Sequence, residues 1–438
     1  MPRYLLWSFS VALAGFLFGF DTAVISGADK VLQQLWHSSN LFHGFVVMGM
    51  ALWGTLVGAI FGSFPTDRWG RKHTLIGIGL LFLVSAIGSA LASDPYTFAA
   101  FRFLGGLGVG ASTIAAPAYI SEIAPDAQRG RTVALYQLSI VAGILVAFLS
   151  NYLLRNVGTA PWRWMVGVEA LPAFLYCIAI WFIPQSPRWL VLQGKREAAT
   201  RVLKLVSPEM APDDFVQQVM AHSTAVRETI FDRKYRTPLL LALFIACFNQ
   251  FSGINGVLYY APRIFEAAGL GSSTALLSGV GVGITNLVFT LVGMALIDRL
   301  GRRQLLYIGS IGYIVSLSLV ACSFFLHWQG MAVPVFLFAF IAAHAIGQGT
   351  VIWVFIAEIF PTHLRASGQA FGSSVHWVLA AFIPSLIPVL ISGIGPGWLF
   401  AAFALLMVGQ LVWVRWKVPE TKGVPLEALG QQLHGNTP

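Results

Sequence analysis

Long runs without a charged side chain alternate with short polar segments along the whole chain of 438 residues. A helix needs about 20 mostly apolar residues to cross the hydrocarbon layer of a bilayer, so each run predicts a membrane span. The runs cover residues 4–20, 44–66, 73–93, 103–121, 132–154, 164–187, 237–262, 267–297, 304–357 and 366–414, with Glu169 as an interruption in the sixth. The last two are long enough for two helices each, with breaks at 327–330 and 393–397. We therefore predict twelve spans, six on each side of a polar middle segment.

Composition supports an all-α integral membrane protein, because 57% of the residues are hydrophobic and only 10% are charged. Cys177, Cys247 and Cys322 lie in apolar runs without metal-ligand spacing. They predict packing residues rather than a disulfide framework or a metal site. The first run begins like a signal peptide, but its Ala-Leu-Ala at residues 12–14 lies in the middle of the run, so we expect an uncleaved span.

The net charge of +9 reflects where the lysines and arginines lie. If both termini are cytoplasmic, 22 of the 27 basic residues fall on the cytoplasmic side. Such an excess is typical of cytoplasmic loops and sets the orientation of a membrane protein. We therefore expect a multi-pass protein of the cytoplasmic membrane with both termini inside, and no nucleic-acid partner.

Two motifs repeat on either side of the middle segment. Asp67-Arg-Trp-Gly-Arg-Lys recurs as Asp298-Arg-Leu-Gly-Arg-Arg, and Glu122-Ile-Ala-Pro recurs as Glu358-Ile-Phe-Pro, at offsets of 231 and 236 residues. Similar offsets predict two duplicated six-helix bundles, with a substrate site between the halves near the bilayer midplane. The predicted division is 1–184 for the N-terminal bundle, 185–236 for the linker, 237–417 for the C-terminal bundle and 418–438 for a cytoplasmic tail. Residues 195–205 are amphipathic helix formers, so we expect short cytoplasmic helices in the linker; a disordered linker is the alternative.

Asp21 is a carboxylate within the first long apolar stretch, and Arg102 is a basic residue seven positions inside the fourth span. A charge at this depth costs several kcal/mol unless it is paired, hydrated or neutralised, so each is a candidate functional residue.

Seven short motifs occur in a fixed order at the span ends. They are Gly-Phe-Asp-Thr at 19–22, both Asp-Arg-x-Gly-Arg-Lys/Arg loops, Pro-Ala-Tyr-Ile-Ser-Glu at 117–122, Pro-Gln-Ser-Pro-Arg-Trp-Leu at 184–190, Gln-Phe-Ser-Gly-Ile-Asn at 250–255 and Pro-Glu-Thr-Lys-Gly at 419–423. Together they resemble the sugar porter branch of the major facilitator superfamily over essentially the whole chain, with the closest likeness to bacterial proton-coupled monosaccharide symporters. The resemblance implies two pseudo-symmetric six-helix bundles that rock to give alternating access.

The resemblance also implies roles for individual residues. It places Arg102 beside Asp21, where the two would couple transport to protons; a static ion pair is the alternative. It implies a cytoplasmic gate network, for which solvated charge that only fixes topology is the alternative. The network residues are Asp67, Arg68, Arg71, Glu122, Arg129, Asp298, Arg299, Arg302, Glu358 and Arg365.

A sugar needs amide groups that both donate and accept hydrogen bonds, together with flat aromatic surfaces. By family position, Tyr259 and Tyr260 would close the outer gate. Interhelical hydrogen bonding is the alternative role for the amides. The candidate sugar-binding residues are Phe18, Gln137, Asn249, Gln250, Asn255, Asn286, Trp353, His376 and Trp377.

Several positions depart from the family pattern. Asn249 stands where a second Gln is usual, His376 where Asn or Gln usually precedes the tryptophan, and Gln185 where Glu is usual. Span 10 lacks the prolines that commonly unwind it, and His344 adds an imidazole. These changes bear on the identity of the sugar and on bending of span 10.

We therefore expect a proton-coupled monosaccharide importer that works as a monomer in the lipid bilayer, without cofactor, metal or enzymatic activity. A facilitative sugar or polyol uniporter and a non-transporting sugar sensor are the alternatives. The glycine-rich stretch at 105–110 follows no strand and lacks the Lys-Ser/Thr of a nucleotide loop, so it predicts close helix packing.

Overall fold

A computed structural model describes residues 2–125, 128–207, 209–223, 229–328, 330–361 and 364–424. Every regular element among these residues is helical. Eleven helices are long and apolar enough to cross a membrane, and a bent pair, Asn40–Met48 with Met50–Phe61, makes a twelfth span. The predicted all-α class and the twelve spans are confirmed.

The helices up to the middle segment follow the predicted runs. They are α1 (Arg3–Val24), α2 (Asp29–Leu35), α3 (Asn40–Phe42), α4 (Met50–Phe61), α5 (Ser63–Arg68), α6 (Arg71–Leu91), α7 (Pro95–Ile123), α8 (Arg129–Leu154), α9 (Pro161–Gly167) and α10 (Ala170–Trp181). A 3-10 turn, Ile25–Gly27, precedes α2, and a π-helical segment, His43–Met48, precedes α4.

The middle segment forms α11 (Pro187–Leu192), α12 (Arg196–Val206) and α13 (Pro212–Ser223). Trp189, Val202, Leu203 and Phe215 form a small apolar core among them. The expected short helices are confirmed over the disordered linker, because the amphipathic faces bury one another.

The remaining helices are α14 (Arg236–Phe251), α15 (Ile254–Ala267), α16 (Ser272–Leu300), α17 (Arg302–Phe325), α18 (Ala332–Ile346), α19 (Gln348–Ile359), α20 (Arg365–Gly393) and α21 (Pro396–Lys417). Span 10 is interrupted between α18 and α19 even though it lacks the usual prolines. The break falls at Gly347, with φ −86° and ψ −102°. A Cβ there would lie 2.8 Å from the Gly309 Cα, so glycine at the break permits the close approach of α17.

The chain forms two compact units. The first comprises Met1–Val24, Met50–Ser150 and Asn156–Val226, and the second comprises Ile25–Gly49, Asn151–Arg155 and Arg227–Pro438. The division of the sequence at residues 184, 236 and 417 stays a prediction, and the tail from residue 425 lies outside the described residues.

Glycines bring α7 against α4 in the first unit. A Cβ on Gly106 would lie 2.0 Å from the Ala51 carbonyl oxygen, and one on Gly110 would lie 2.2 Å from that of Thr55. The glycine-rich stretch therefore packs one helix backbone on another, as in other membrane helix pairs with small residues four apart.

Candidate functional site

Asp21 and Arg102 form a buried ion pair in the first unit. Asp21 lies near the end of α1 and is 2% exposed, and Arg102 lies in α7 and is 1% exposed. Nη1 and Nη2 of Arg102 donate to the Asp21 carboxylate, and Nη2 also donates to the Asp21 carbonyl oxygen at 3.1 Å. The pairing expected from the resemblance is present.

Glu169 is a third charged residue in this cluster, and the sequence reasoning missed its role. It lies between α9 and α10, is 1% exposed, and is close enough to Asp21 and Arg102 to interact electrostatically with both. The sequence indicates this residue, because Glu169 is the carboxylate that interrupts the sixth apolar run. The reasoning applied to Asp21 holds equally for this residue.

The two carboxyl groups of this cluster can bind a proton. Two carboxyl groups can hydrogen-bond to each other only if one of them carries a proton. Arg102 then compensates the remaining negative charge. Oε1 of Glu169 is buried and has no hydrogen-bond partner within the described part of the chain, which is less costly for a neutral carboxyl than for a carboxylate. The cluster therefore holds a second buried carboxyl group beside the Asp21–Arg102 ion pair.

Amide side chains form a separate network in the second unit, centred on Gln250. Its Nε2 donates to Asn249 Oδ1 at 2.9 Å and lies 3.2 Å from His376 Nδ1, and its Oε1 accepts from Asn255 Nδ2 at 2.9 Å. α14 supplies Asn249 and Gln250, α15 supplies Asn255 and α20 supplies His376. Four predicted sugar-binding residues thus meet through direct contacts, with donors and acceptors that a hydroxyl could replace.

Aromatic rings flank this network. The His376 ring centroid lies 5.2 Å from that of Trp353 and 5.0 Å from that of Trp377.

His344 has a hydrogen-bond partner of its own: its Nδ1 lies 2.6 Å from the hydroxyl oxygen of Tyr313. The structure therefore adds Tyr313, which the sequence reasoning did not name, as the partner that orients His344.

The other predicted residues of the two units lie in the expected spans. Phe18 is in α1 and half-buried Gln137 is in α8, while buried Asn286 is in α16. Tyr259 and Tyr260 are buried in α15, where Tyr260 has non-helical backbone angles of φ −123° and ψ 17°. The helix bends at that tyrosine, two residues before Pro262, as expected where a proline removes a backbone hydrogen bond.

The repeated motifs build the same charged cluster twice. In the first unit, Arg71 bonds to Glu122 with Nη2 at 2.9 Å and to Asp67 with Nη1 at 3.2 Å. In the second unit, Arg302 bonds to Glu358 at 2.8 Å and to Asp298 at 3.3 Å. Each arginine also donates to a main-chain oxygen one residue before the aspartate, at 3.2 Å in both clusters.

The remaining predicted gate residues have different surroundings. Arg68 lies over the Phe64 ring at 5.6 Å, and Arg129 donates to the Ser121 carbonyl oxygen at 3.0 Å. The carbonyl oxygen of Arg299 accepts from Lys422 at 2.6 Å. Arg365 begins α20, and its buried Nε has no hydrogen-bond partner among the described residues.

A twelve-span helical protein with a buried charged cluster and an amide network has the features of a membrane transporter. The sequence profile of the family described as "Sugar (and other) transporter" matches residues 7–433. The chain belongs to this family, whose members are transporters rather than enzymes.

Relatives cover nearly the whole chain. The arabinose-proton symporter of Bacillus subtilis (strain 168) is 32% identical over 98% of this chain and 95% of its own length. The D-xylose-proton symporter of Escherichia coli (strain K12) is 31% identical over 95% of this chain and 93% of its own. A solved structure of the xylose transporter XylE from E. coli, in a partially occluded inward-open conformation, superimposes with a TM-score of 0.86 at 29% identity, covering 96% of this chain and 99% of that one.

Proposed function

We propose that this protein imports a monosaccharide together with a proton, by alternating access. The observation that carries the proposal is the cluster of Asp21, Arg102 and Glu169, in which a second buried carboxyl group lies near the Asp21–Arg102 ion pair. Relatives whose names specify proton symport of arabinose and xylose support both the coupling and the substrate class.

Asp21 is the proposed proton carrier and Arg102 its electrostatic partner. When Asp21 takes up a proton, Arg102 keeps its bond to the Asp21 carbonyl oxygen and so stays in place. Arg102 favours the ionised form of the Asp21 carboxyl group, and burial favours its protonated form. A change in water access therefore shifts the equilibrium between these two forms. Sugar binding would favour the protonated form, so that both are released together on the inside.

The proposed sugar site uses amides for the hydroxyls and tryptophans for the ring faces. Gln250, Asn255 and His376 already satisfy one another's hydrogen bonds, so a sugar would replace contacts in a preformed network. The same role is proposed for Phe18, Gln137, Asn249, Asn286, Trp353 and Trp377, and the outer gate is assigned to Tyr259 and Tyr260.

The protein is further proposed to lie in the cytoplasmic membrane as a monomer, with both termini inside and lipid around its spans. The excess of basic residues in one set of loops supports this orientation. The clusters around Arg71 and Arg302 would then lie at the cytoplasmic ends of the spans and form the inner gate, with Arg68, Arg129, Arg299 and Arg365 beside them.

Flux measurements in proteoliposomes test the coupling. Wild-type protein should accumulate radiolabelled xylose, arabinose or glucose against its gradient when the interior is more alkaline than the medium. Asp21→Asn should lose accumulation while retaining exchange of internal for external sugar. Accumulation that survives in Asp21→Asn would contradict the proposal.

Two other outcomes identify the alternatives. Wild-type protein that equilibrates sugar without responding to a proton gradient is a facilitative uniporter. Protein that binds sugar, as judged by tryptophan fluorescence, but neither exchanges nor accumulates it is a sensor.

A further inference from the structure

A second buried charged cluster lies in the second unit, away from Asp21. Asp29 in α2 is 2% exposed, and His43 at the start of the π-helical segment is fully buried. Arg263 in α15 makes a bidentate bond to the Asp29 carboxylate: Nε donates to Oδ2 at 2.6 Å and Nη2 donates to Oδ1 at 2.8 Å. His43 Nε2 lies 2.7 Å from the same Oδ1. One carboxylate therefore serves both an arginine and a histidine.

Polar contacts extend the cluster to two further helices. Nη2 of Arg263 donates to Gln33 Oε1 at 2.5 Å, Gln33 Nε2 donates to Asn40 Oδ1 at 2.7 Å, and Asn40 Nδ2 donates to Ser392 Oγ at 2.8 Å. The segment Ile25–Gly49 is thereby connected to α15 and to the end of α20.

The elements packed around His43 and Asp29 carry few titratable groups. α2 provides Asp29 and also Lys30, whose ammonium pairs with Glu266 of α15. α15 further provides Arg263, whose Cζ lies 5.8 Å above the Tyr260 ring, next to Tyr259. α3 carries no titratable residue, and neither does α20 from Trp377 to its end at Gly393. On the other side of the ring, Ser38 Oγ lies 3.4 Å from Nδ1.

Asp29 lies between the Arg263 guanidinium and the His43 imidazole, and this position bears on proton binding by His43. With Arg263 in place, the carboxylate is already compensated, and a second positive charge on His43 would be repelled by the guanidinium. If Ile25–Gly49 moved away from α15, Asp29 would keep His43, which belongs to the same segment, and lose Arg263. A proton on His43 would then replace the lost positive charge.

We propose that His43 is a second proton-binding site and that its protonation releases Ile25–Gly49 from Arg263, so that acid outside favours opening of the outer gate. The proposal rests on the proposed alternating access, in which these outer ends must separate. It assigns a role to Asp29, His43 and Arg263 that is separate from the coupling at Asp21. One linked proton can change the ratio of open to closed forms by at most about tenfold per pH unit.

Spin-label distances in the full chain test the release. Val31 and Ala267 are exposed, so Val31→Cys and Ala267→Cys, with Cys177, Cys247 and Cys322 replaced by serine, report the separation of α2 from α15. The measurement is made in the Asp21→Asn background, in lipid nanodiscs from pH 8 to pH 5.5, so that Asp21 contributes no titration. The population at long distance should rise several-fold as the pH falls.

His43→Gln keeps an N–H donor for Asp29 but cannot take up a proton, so its long-distance population should stay constant across this pH range. Arg263→Gln should raise that population at pH 8. A wild-type response retained in His43→Gln, or no response with His43 present, would overturn the proposal. If His43→Gln does not fold, Asp29→Asn replaces it, and there the population should be high and independent of pH.

The outcomes separate this proposal from the proposed function. Accumulation that persists in Asp21→Asn, together with a distance response that depends on His43, would remove Asp21 coupling and leave the outer site intact. Loss of accumulation in Asp21→Asn, together with distances that ignore His43, would do the reverse.

Discussion

Arg102 holds Asp21 by two different groups, the side-chain carboxylate and the main-chain carbonyl oxygen. The carbonyl contact does not depend on the protonation of the carboxylate. Under the proposed coupling, Arg102 would therefore keep its position while Asp21 is protonated, and its positive charge would compensate Asp21 after the proton leaves. This arrangement separates the anchoring of the arginine from its electrostatic role.

Removing Arg102 should lower the stability of the protein, because the buried carboxyl groups then lack a compensating positive charge. Arg102→Leu leaves the negative charge of the cluster uncompensated, and breaking a buried pair from one side typically costs about 3–5 kcal/mol. We expect a large loss of thermal stability in detergent, measured by scanning fluorimetry. The double variant Arg102→Leu with Asp21→Asn should recover most of it, and a double variant no more stable than Arg102→Leu would argue against the charge as the cause.

Glu169→Gln should move the pH dependence of sugar accumulation. An amide at this position donates to the ionised Asp21 carboxylate and removes the competing carboxyl group. Proton uptake then becomes harder, so half-maximal accumulation should shift to more acid pH by about one unit. Initial rates from pH 5 to pH 8 measure the shift.

Asp94→Asn is the control for that experiment. Asp94 caps α7 by accepting from the backbone N–H groups of Tyr96 and Thr97 at 3.0 Å, and asparagine caps helices equally well. Its pH profile should match the wild type. A shift of equal size in both variants would assign the effect to overall charge.

Gln250→Leu should weaken sugar binding more than it weakens the fold. The change removes the donors and the acceptor that Asn249, Asn255 and His376 share, so the apparent Kd for sugar should rise at least tenfold, or about 1.4 kcal/mol. Tryptophan fluorescence measures it, because Trp353 and Trp377 flank His376.

Gln410→Leu provides the matched control, since Gln410 is also a buried amide, bonded to Ser310 Oγ at 2.9 Å in the second unit. It should lower stability and leave the Kd within about twofold of wild type. Equal losses of affinity in the two variants would mean that Gln250 acts through packing.

Glu420→Gln should destabilise the second unit, because Glu420 occupies the N-terminal end of α17. Its Oε1 accepts from the backbone N–H of Arg302 at 2.9 Å, and its Oε2 accepts from that of Arg303 at 3.0 Å. An amide keeps one acceptor and turns a second donor toward a backbone N–H, so we expect a loss of about 1 kcal/mol in thermal unfolding.

Gln185 has the equivalent place at α6, where its Oε1 accepts from the Lys72 N–H at 2.9 Å. Gln185→Glu supplies a charge-assisted bond at the positive end of that helix and should stabilise by about 0.5 kcal/mol. Opposite signs for the two substitutions are expected, and equal signs would contradict the capping role.

Arg71→Gln should slow transport by about five- to tenfold, because it removes the bond to Glu122, worth about 1 kcal/mol, and a weaker contact with the exposed Asp67. Counterflow in proteoliposomes measures the rate. Arg131→Gln is the control, since Arg131 is an exposed arginine in the first turn of α8. An equal loss of transport rate in both variants would mean that Arg71 acts only as a positive charge that fixes the membrane topology.

The sequence by itself determined the membrane class, the twelve spans, the duplicated motifs and the positions of most polar residues within the spans. These features depend on local composition and on the thickness of the bilayer, so a single chain contains them. The same reasoning could have selected Glu169, because a carboxylate within an apolar run is as informative there as at Asp21.

Only the tertiary structure decided which charged groups meet. Glu169 reaches Asp21 across 148 positions of the chain (169 − 21), and Arg263 reaches Asp29 across 234. No periodicity records such pairings, because they depend on how helices far apart in sequence pack against one another. The interruption of span 10 is likewise visible only in the structure, since the helix is broken at Gly347 and the sequence has no proline there. Asp21 is thus one member of a buried three-residue cluster and not an isolated carboxylate, since helix packing brings Arg102 and a second carboxyl group, that of Glu169, close to it.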